Sequence, residues 1–192
     1  MSVEPAVLVE IVVKVGGGLL ADLDALDAVL AAVGAAARSR RLLIVPGGGP
    51  FADAVRDVDR RLHLPDTAAH WMAILAMDQY AHAIAARAAG SALVVCPSEI
   101  VAARDAGRVP VLAPSAWLRA ADPLPHSWDV TSDSIAAWIA GRLGARRLVL
   151  VKPSGALVSG ESVDGYFARA RPAGVETTIV AANQIAALRS AL

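Results

Sequence analysis

Cysteine is almost missing from this 192-residue chain: Cys96 stands alone, so no internal disulfide can form and a reducing compartment is expected. Long apolar runs are missing too. None reaches membrane-spanning length, and the N-terminus has no basic region leading into a hydrophobic segment and cleavage site, so a cytoplasmic protein without a membrane partner is expected. An excess of either charge is also lacking. The 18 basic and 18 acidic residues cancel and are scattered, which removes the electrostatic footprint of a nucleic-acid binder and leaves small ligands as the expected partners. Repeats and low-complexity linkers are absent as well. What the chain has in quantity is apolar residues, 56% of the total with mean hydropathy +0.51, enough for one sizeable core, so a single domain over 1–192 is expected.

Against this background stand two glycine triplets, Gly16-Gly17-Gly18 and Gly47-Gly48-Gly49. Each follows a short apolar run, Val7 to Val15 and Arg41 to Val45, that reads as a buried parallel strand. Both triplets are therefore expected at strand C-termini on one edge of a sheet, where open α/β sheets bind ligands. Glycine lets backbone N–H groups approach phosphate oxygens without a Cβ in the way, and the helical pattern after each triplet adds partial positive charge. A phosphate site is the expectation. Through Ala21 and Ala52 the triplets also fit the loose glycine-x-glycine-x-x-alanine pattern of dinucleotide sites. Such a site wants an acidic residue at the end of the second strand, and here Ile44-Val45-Pro46 runs directly into glycine. The P-loop of NTPases is absent, since no Gly-Lys-Ser or Gly-Lys-Thr follows either triplet.

Apolar spacing predicts a crossover helix from Asp22 to Arg38, a helix from Phe51 to Leu62, a break at His63-Leu64-Pro65 and a long helix from Asp66 to Ala89. Buried strands are expected at Leu93 to Cys96 and Val109 to Leu112, with a helical piece at Ser98 to Ala106 between them. A proline-bearing loop, Asp122 to Trp128, feeds a helix from Thr131 to Leu143, followed by a strand at Arg147 to Val151 and a loop from Lys152 to Gly165. A strand at Val175 to Val180 and a helix at Asn183 to Leu192 close the chain. Strands alternating with helices imply a mostly parallel sheet covered on both faces.

Three side chains stand out for chemistry. An unpaired ammonium inside a buried strand is costly, so Lys14 points to a pocket or an anion, unless it is an edge lysine reaching solvent along its stem. Asp133 opens the Trp138 helix, where it either serves a site or complements the helix dipole, with Thr131 or Ser132 as cap. Lys152 ends a strand much as Lys14 does, so the two either converge on one sheet edge or Lys152 is an exposed loop lysine.

Taken in order, Lys14-Val15-Gly16-Gly17-Gly18, Pro46-Gly47-Gly48-Gly49, Thr131-Ser132-Asp133-Ser134-Ile135-Ala136-Ala137 and Val151-Lys152-Pro153-Ser154-Gly155 resemble the signatures of the amino acid kinase family over nearly the whole chain. The resemblance implies an α/β fold, a three-layer α/β/α sandwich with a mostly parallel central sheet, and an ATP-dependent phosphotransferase. It implies that Lys14 and the loops Gly16, Gly17, Gly18, Gly47, Gly48 and Gly49 hold the transferred phosphoryl group, that Asp133 orients the lysines and that Lys152 contacts phosphate. ATP and Mg²⁺ are the implied cofactors. No rigid metal cage is evident in the sequence, as expected when Mg²⁺ is held largely by nucleotide phosphates. Two departures stand out: Gly18 replaces a common serine, and Pro153-Ser154 replaces an acidic or hydrophobic pair. Little sequence lies between Lys152 and the final strand, so the C-terminal nucleotide-binding part is shortened.

Within the family, the segments Ala68 to Tyr80 and Val163 to Phe167 look like the small kinases of methanofuran biosynthesis, although Trp71, Met72, Ile74 and Leu75 would also pack as ordinary core. That likeness implies conversion of 5-(aminomethyl)-3-furanmethanol phosphate to its diphosphate. A furan bearing an aminomethyl cation needs a flat apolar surface and a carboxylate, and His70, Trp71, Asp78, Trp128 and Asp129 supply those chemical types. The rivals are a kinase of another small acid or phosphate, uridylate included, and a non-catalytic nucleotide- or oxyanion-binding protein of the same fold, such as a molybdenum store. An alanine-rich chain with four tryptophans is also expected to bury apolar surface between subunits of a homo-oligomer.

Overall fold

The computed structural model describes residues 8–155 and 163–192. In chain order the strands are β1 (Ile11–Val15), β2 (Leu42–Pro46), β3 (Ser91–Val94), β4 (Val109–Leu112), β5 (Arg147–Lys152) and β6 (Glu176–Ala181). The helices are α1 (Leu23–Ala36), α2 (Gly49–Leu62), α3 (Asp66–Arg87), α4 (Pro97–Asp105), α5 (Ser115–Ala121), α6 (Ser132–Arg142), α7 (Phe167–Ala170) and α8 (Ile185–Ala191). The six strands form one sheet in the order β3-β4-β2-β1-β5-β6, every pair parallel. Strands buried on both faces read as continuous apolar runs, and β1, β2 and β4 are buried at every position.

The order reverses at β1, which pairs with β2 on one side and β5 on the other. Such a reversal opens a crevice beyond the strand C-termini, because the connections leave in opposite directions. Side chains alternate between the faces. Val12, Leu43, Val45, Leu148 and Leu150 join the core under α4, α6 and α7. Ile11, Val13, Val15, Leu42, Ile44, Val149 and Val151 join the opposite core with α1 and α8. Helix α3 serves both, with Ile74 and Met77 in the first and Tyr80 and Ile84 in the second. The result is the parallel sheet covered on both faces that the strand–helix alternation implies, and the three-layer α/β/α sandwich that the family resemblance implies. Among the described residues no helix is long and apolar enough to cross a membrane.

The long elements fall where periodicity places them. Asp22 Oδ1 accepts from Ala25 N at 3.0 Å and caps α1, while α2 ends at His63 in the left-handed region (φ 50°) before Pro65. Strand β3 begins at Ser91, two residues ahead of expectation, because Gly90 (φ 74°) turns the chain there and Cys96 already precedes α4. A 3-10 turn at Gly17–Ala21 and the short helices α5 and α7 have too few residues to show a period. The start of the expected first strand, at Val7, lies outside the described residues, as does the middle of the loop after Lys152.

Candidate active site

Strand alternation aims the two lysines. Lys14 has the parity of Val12, and Lys152 that of Leu148 and Leu150, so both side chains leave the sheet toward α6. There Asp133, in the first turn of α6, sits between them: Lys14 Nζ lies 2.9 Å from Oδ1 and Lys152 Nζ 2.5 Å from Oδ2. The Lys14 contact is an ion pair rather than an aligned hydrogen bond. Lys14 is 5% exposed and Asp133 3%, which excludes both the solvent-reaching lysine and a surface carboxylate that merely complements a helix dipole. Burial pushes the Lys14 ammonium below the ordinary lysine range; Asp133 offsets this in part, and Lys152 adds to it. Burial alone would raise Asp133, but Lys14 and Lys152 outweigh it and hold the carboxyl below its usual value. These are the chain's two lysines, against sixteen arginines. That imbalance was a signal in the sequence, because a compact, strongly hydrated ammonium is not interchangeable with the arginine fork.

The cap of α6 comes from outside the helix. Neither Thr131 nor Ser132 caps it through its own side chain. Instead Asp164 Oδ2 accepts from Thr131 N at 2.9 Å, Thr131 Oγ1 at 2.7 Å and Ser134 N at 3.0 Å, while Oδ1 accepts from the Ser134 hydroxyl and from Tyr166 N at 3.2 Å. A carboxylate with five donors fixes the helix end on which Asp133 rides. Sequence reading missed it because a cap thirty residues downstream leaves no local spacing.

The glycine loops touch backbone to backbone. A Cβ on Gly17 would lie 2.0 Å from Gly49 N, and one on Gly47 2.6 Å from Gly17 N. On Gly49, at φ +52°, a Cβ would lie 2.6 Å from Gly17 O. Beneath the first loop, Tyr80 is fully buried, donates to Gly16 O at 3.5 Å and has its phenol pKa raised by burial.

Beside the loops lies a cavity of about 250 Å³, walled by Gly17, Gly18, Gly48 and Gly49, by α2 and α3, and by Trp128, Thr131 and Ser132. Trp128 is fixed there by its Nε1–H, which donates to Asp59 Oδ2 at 2.8 Å, and by Arg56, whose guanidinium sits 4.8 Å from the ring centre. His70 lines the cavity as expected; its pKa is lowered to about 4, by burial first and by neighbouring His126 second, so it is neutral at working pH.

Trp128 lines the cavity too, whereas Trp71, Asp78 and Asp129 lie outside it. Trp71 points off the cavity, under Arg119 at 4.4 Å and edge-on to His126. Asp78 caps α5, accepting from Ser115 N at 3.0 Å and from the Ser115 hydroxyl. Asp129 is exposed and does not line the space. The carboxylates that do line it are Asp53, paired with Arg56 at 2.9 Å, and Asp66.

A family model described as "Amino acid kinase family" matches residues 10–161. The chain is 31% identical to the [5-(aminomethyl)furan-3-yl]methyl phosphate kinase of Methanocaldococcus jannaschii, over 93% of this chain and 77% of that protein. This chain belongs to the amino acid kinase family. Solved structures give the same fold: UMP kinase from Bacillus anthracis superposes with a TM-score of 0.70 at 12% identity, covering 94% of this chain and 90% of that one. Uridylate kinase from Archaeoglobus fulgidus superposes at 0.58 with 19% identity; 74% of this chain is covered, and the match spans only 62% of that protein.

As an amino acid kinase family member the chain is a phosphotransferase, and its site has the parts for charge neutralisation. Two ammonium groups meet one buried carboxylate beside paired glycine loops at the C-terminal edge of the sheet. Among the described residues no group of three His, Cys, Asp or Glu side chains could hold a metal, and two lysines already occupy Asp133. This donor set fits a divalent ion carried by phosphate oxygens rather than one caged by the protein.

Proposed function

We propose that the protein is an ATP-dependent kinase that phosphorylates the phosphate group of a small cationic monoester, 5-(aminomethyl)-3-furanmethanol phosphate, to give the diphosphate. The buried Lys14–Asp133–Lys152 triad next to the glycine loops carries this reading, and the kinase relative from M. jannaschii supports the acceptor. An acceptor phosphate is already a nucleophile at neutral pH, so no general base is required and catalysis reduces to alignment and charge neutralisation. One acceptor oxygen forms a bond to the γ-phosphorus as the bond to the β–γ bridging oxygen breaks, and ADP departs with that electron pair. Lys14 and Lys152 neutralise the oxygens of the group in transit, and Asp133 keeps both ammonium groups on one side of it. Backbone N–H groups of the two loops complete the cradle, and Mg²⁺ held by phosphate oxygens would supply further positive charge.

The cavity wall fits the cationic end. His70 is neutral, Arg56 is spent on Asp53, and Asp66 is left to face an ammonium group across a space walled by Trp128, Ile74 and Met77. The test is ADP release with the aminomethyl furan phosphate, with uridylate as the comparison acceptor and phosphorus NMR of the product. Formation of the diphosphate, abolished in Lys14→Ala, is expected. ADP release with uridylate but not with the furan would move the acceptor. Release with neither, together with bound oxyanion metal in the purified protein, would establish the non-catalytic reading.

A further inference from the structure

The sheet has a second charged edge, at the opposite end from the lysines. Segment 37–42, which leads from α1 into β2, and segment 104–110, which leads from α4 into β4, enclose an open groove of about 600 Å³. Arg38, Arg40, Arg41, Arg104 and Arg108 line it, and among the described residues no carboxylate does. Three of these arginines are anchored: Arg41 Nε lies 3.1 Å from Glu10 Oε1, Arg104 donates to Leu8 O at 2.5 Å, and Arg108 donates to Ser91 O. The side chains of Arg38 and Arg40 are exposed and have no partner among the described residues.

The ordinary explanation is that arginines collect where helices end, since α1 and α4 both finish at this edge. The magnitudes do not close on that account. Among the described residues, Glu10 cancels one of the five guanidinium charges, two helix ends at about half a charge each cancel about one more, and exposed Asp105 next to Arg104 offsets a third, which leaves a surplus of about two. In a chain with no net charge, such a surplus in one concavity is concentrated by position rather than by composition. Guanidinium forks match phosphate oxygens two at a time, and a groove of this volume falls within the range of small-ligand sites.

We propose that this arginine groove is a second anion site, one that takes the polyphosphate group of a small metabolite. The anchored arginines form its floor, and Arg38 and Arg40 close on the ligand. The site is physically linked to the lysines: β1 and β2 begin at this edge, beside Glu10 and Arg41, and end at the two glycine loops. Five residues of strand place the two sites about 15 Å or more apart, so one polyphosphate cannot span both as a single site.

The test is calorimetry of the full chain with inorganic tripolyphosphate at low and moderate salt. The wild type is expected to bind two equivalents. Arg38→Ser with Arg40→Ser, both exposed and remote from the catalytic groups, is expected to weaken one equivalent at least tenfold and leave ADP-forming turnover at saturating ATP unchanged. Lys14→Ala is expected to remove the other equivalent while sparing the first. This separates the groove from the kinase reading, because an inactive kinase would still show the arginine-dependent equivalent. A single equivalent that depends on Lys14 alone, or a second one indifferent to Arg38 and Arg40, would overturn the proposal. So would binding of a single-stranded RNA oligomer to the same arginines with no tripolyphosphate binding, which would make the edge a nucleic-acid surface.

Discussion

Replacing Asp133 by Asn keeps the shape of a side chain that is 3% exposed and removes the one negative charge between two ammonium groups. Breaking a buried ion pair from one side costs about 3–5 kcal/mol, because the charges left behind are neither solvated nor matched. For a chain of this length each kcal/mol moves the melting temperature by about 2–4 °C, so a fall of about 6–20 °C is expected at pH 7. The α6 cap does not soften this loss, since Asp164 supplies it. Turnover should fall by about 10²–10³-fold, the range seen when a preorganised charge-stabilising contact is lost. The pH dependence distinguishes this account from general damage. Asp133 is held below its ordinary value in the folded protein, so its contribution is full above the unfolded pKa of about 3.9 and is lost as pH falls through the folded value. The stability gap between wild type and variant should therefore close in acid. On the alkaline side, Asp133 is what raises Lys14 against burial and Lys152, so its removal should bring the alkaline limb of the turnover profile to lower pH. Melting curves from pH 3 to 8 and turnover from pH 6 to 10 check both arms. Parallel melting curves at every pH, with an unmoved alkaline limb, would show that Asp133 does not couple to the lysines.

Other expectations follow from the same geometry. Gly17→Ala places a methyl group 2.0 Å from Gly49 N, so the loops must part; a loss of about 1–3 kcal/mol and a larger fractional loss of turnover should appear in melting and steady-state assays. Asp164→Asn sets an amide N–H₂ against groups that all donate, and is expected to cost about 1–3 kcal/mol and to lower turnover with little change in either KM. Asp66→Asn should raise the KM of the aminomethyl acceptor far more than that of ATP, whereas Asp78→Asn should cost about 1 kcal/mol through the α5 cap and leave both constants unchanged. Equal KM effects from the two would place the ammonium elsewhere.

The triad was legible because two simple rules act on it together. Strand alternation fixes which way Lys14 and Lys152 point, and the strand C-terminal edge fixes where they end. The cavity wall was legible only up to a rotation. Trp71 and Asp78 are seven residues apart and do share a face of α3, but the cavity is lined by Asp66, Ala69, His70, Ala73, Ile74 and Met77. That stripe lies one residue, about 100° around the helix, from the face chosen. An apolar helix that packs on both sides gives no strong moment to settle the angle, and only tertiary neighbours do. Asp59 under Trp128 and Asp164 over α6 were invisible for a different reason: each acts on a partner at least thirty residues away.

The rarity of lysine gives the molecule a built-in reporter. With two ε-amines in the whole chain, both bearing on one carboxylate, a sample grown with nitrogen-labelled lysine would yield two side-chain signals, and neither would come from the bulk surface. Their titration, and their splitting when a phosphate ligand enters, would read the charge state of the site with no background to subtract. For the same reason an amine-directed reagent finds its targets, apart from the chain terminus, only beside Asp133. Burial holds Lys14 partly toward its neutral, nucleophilic form.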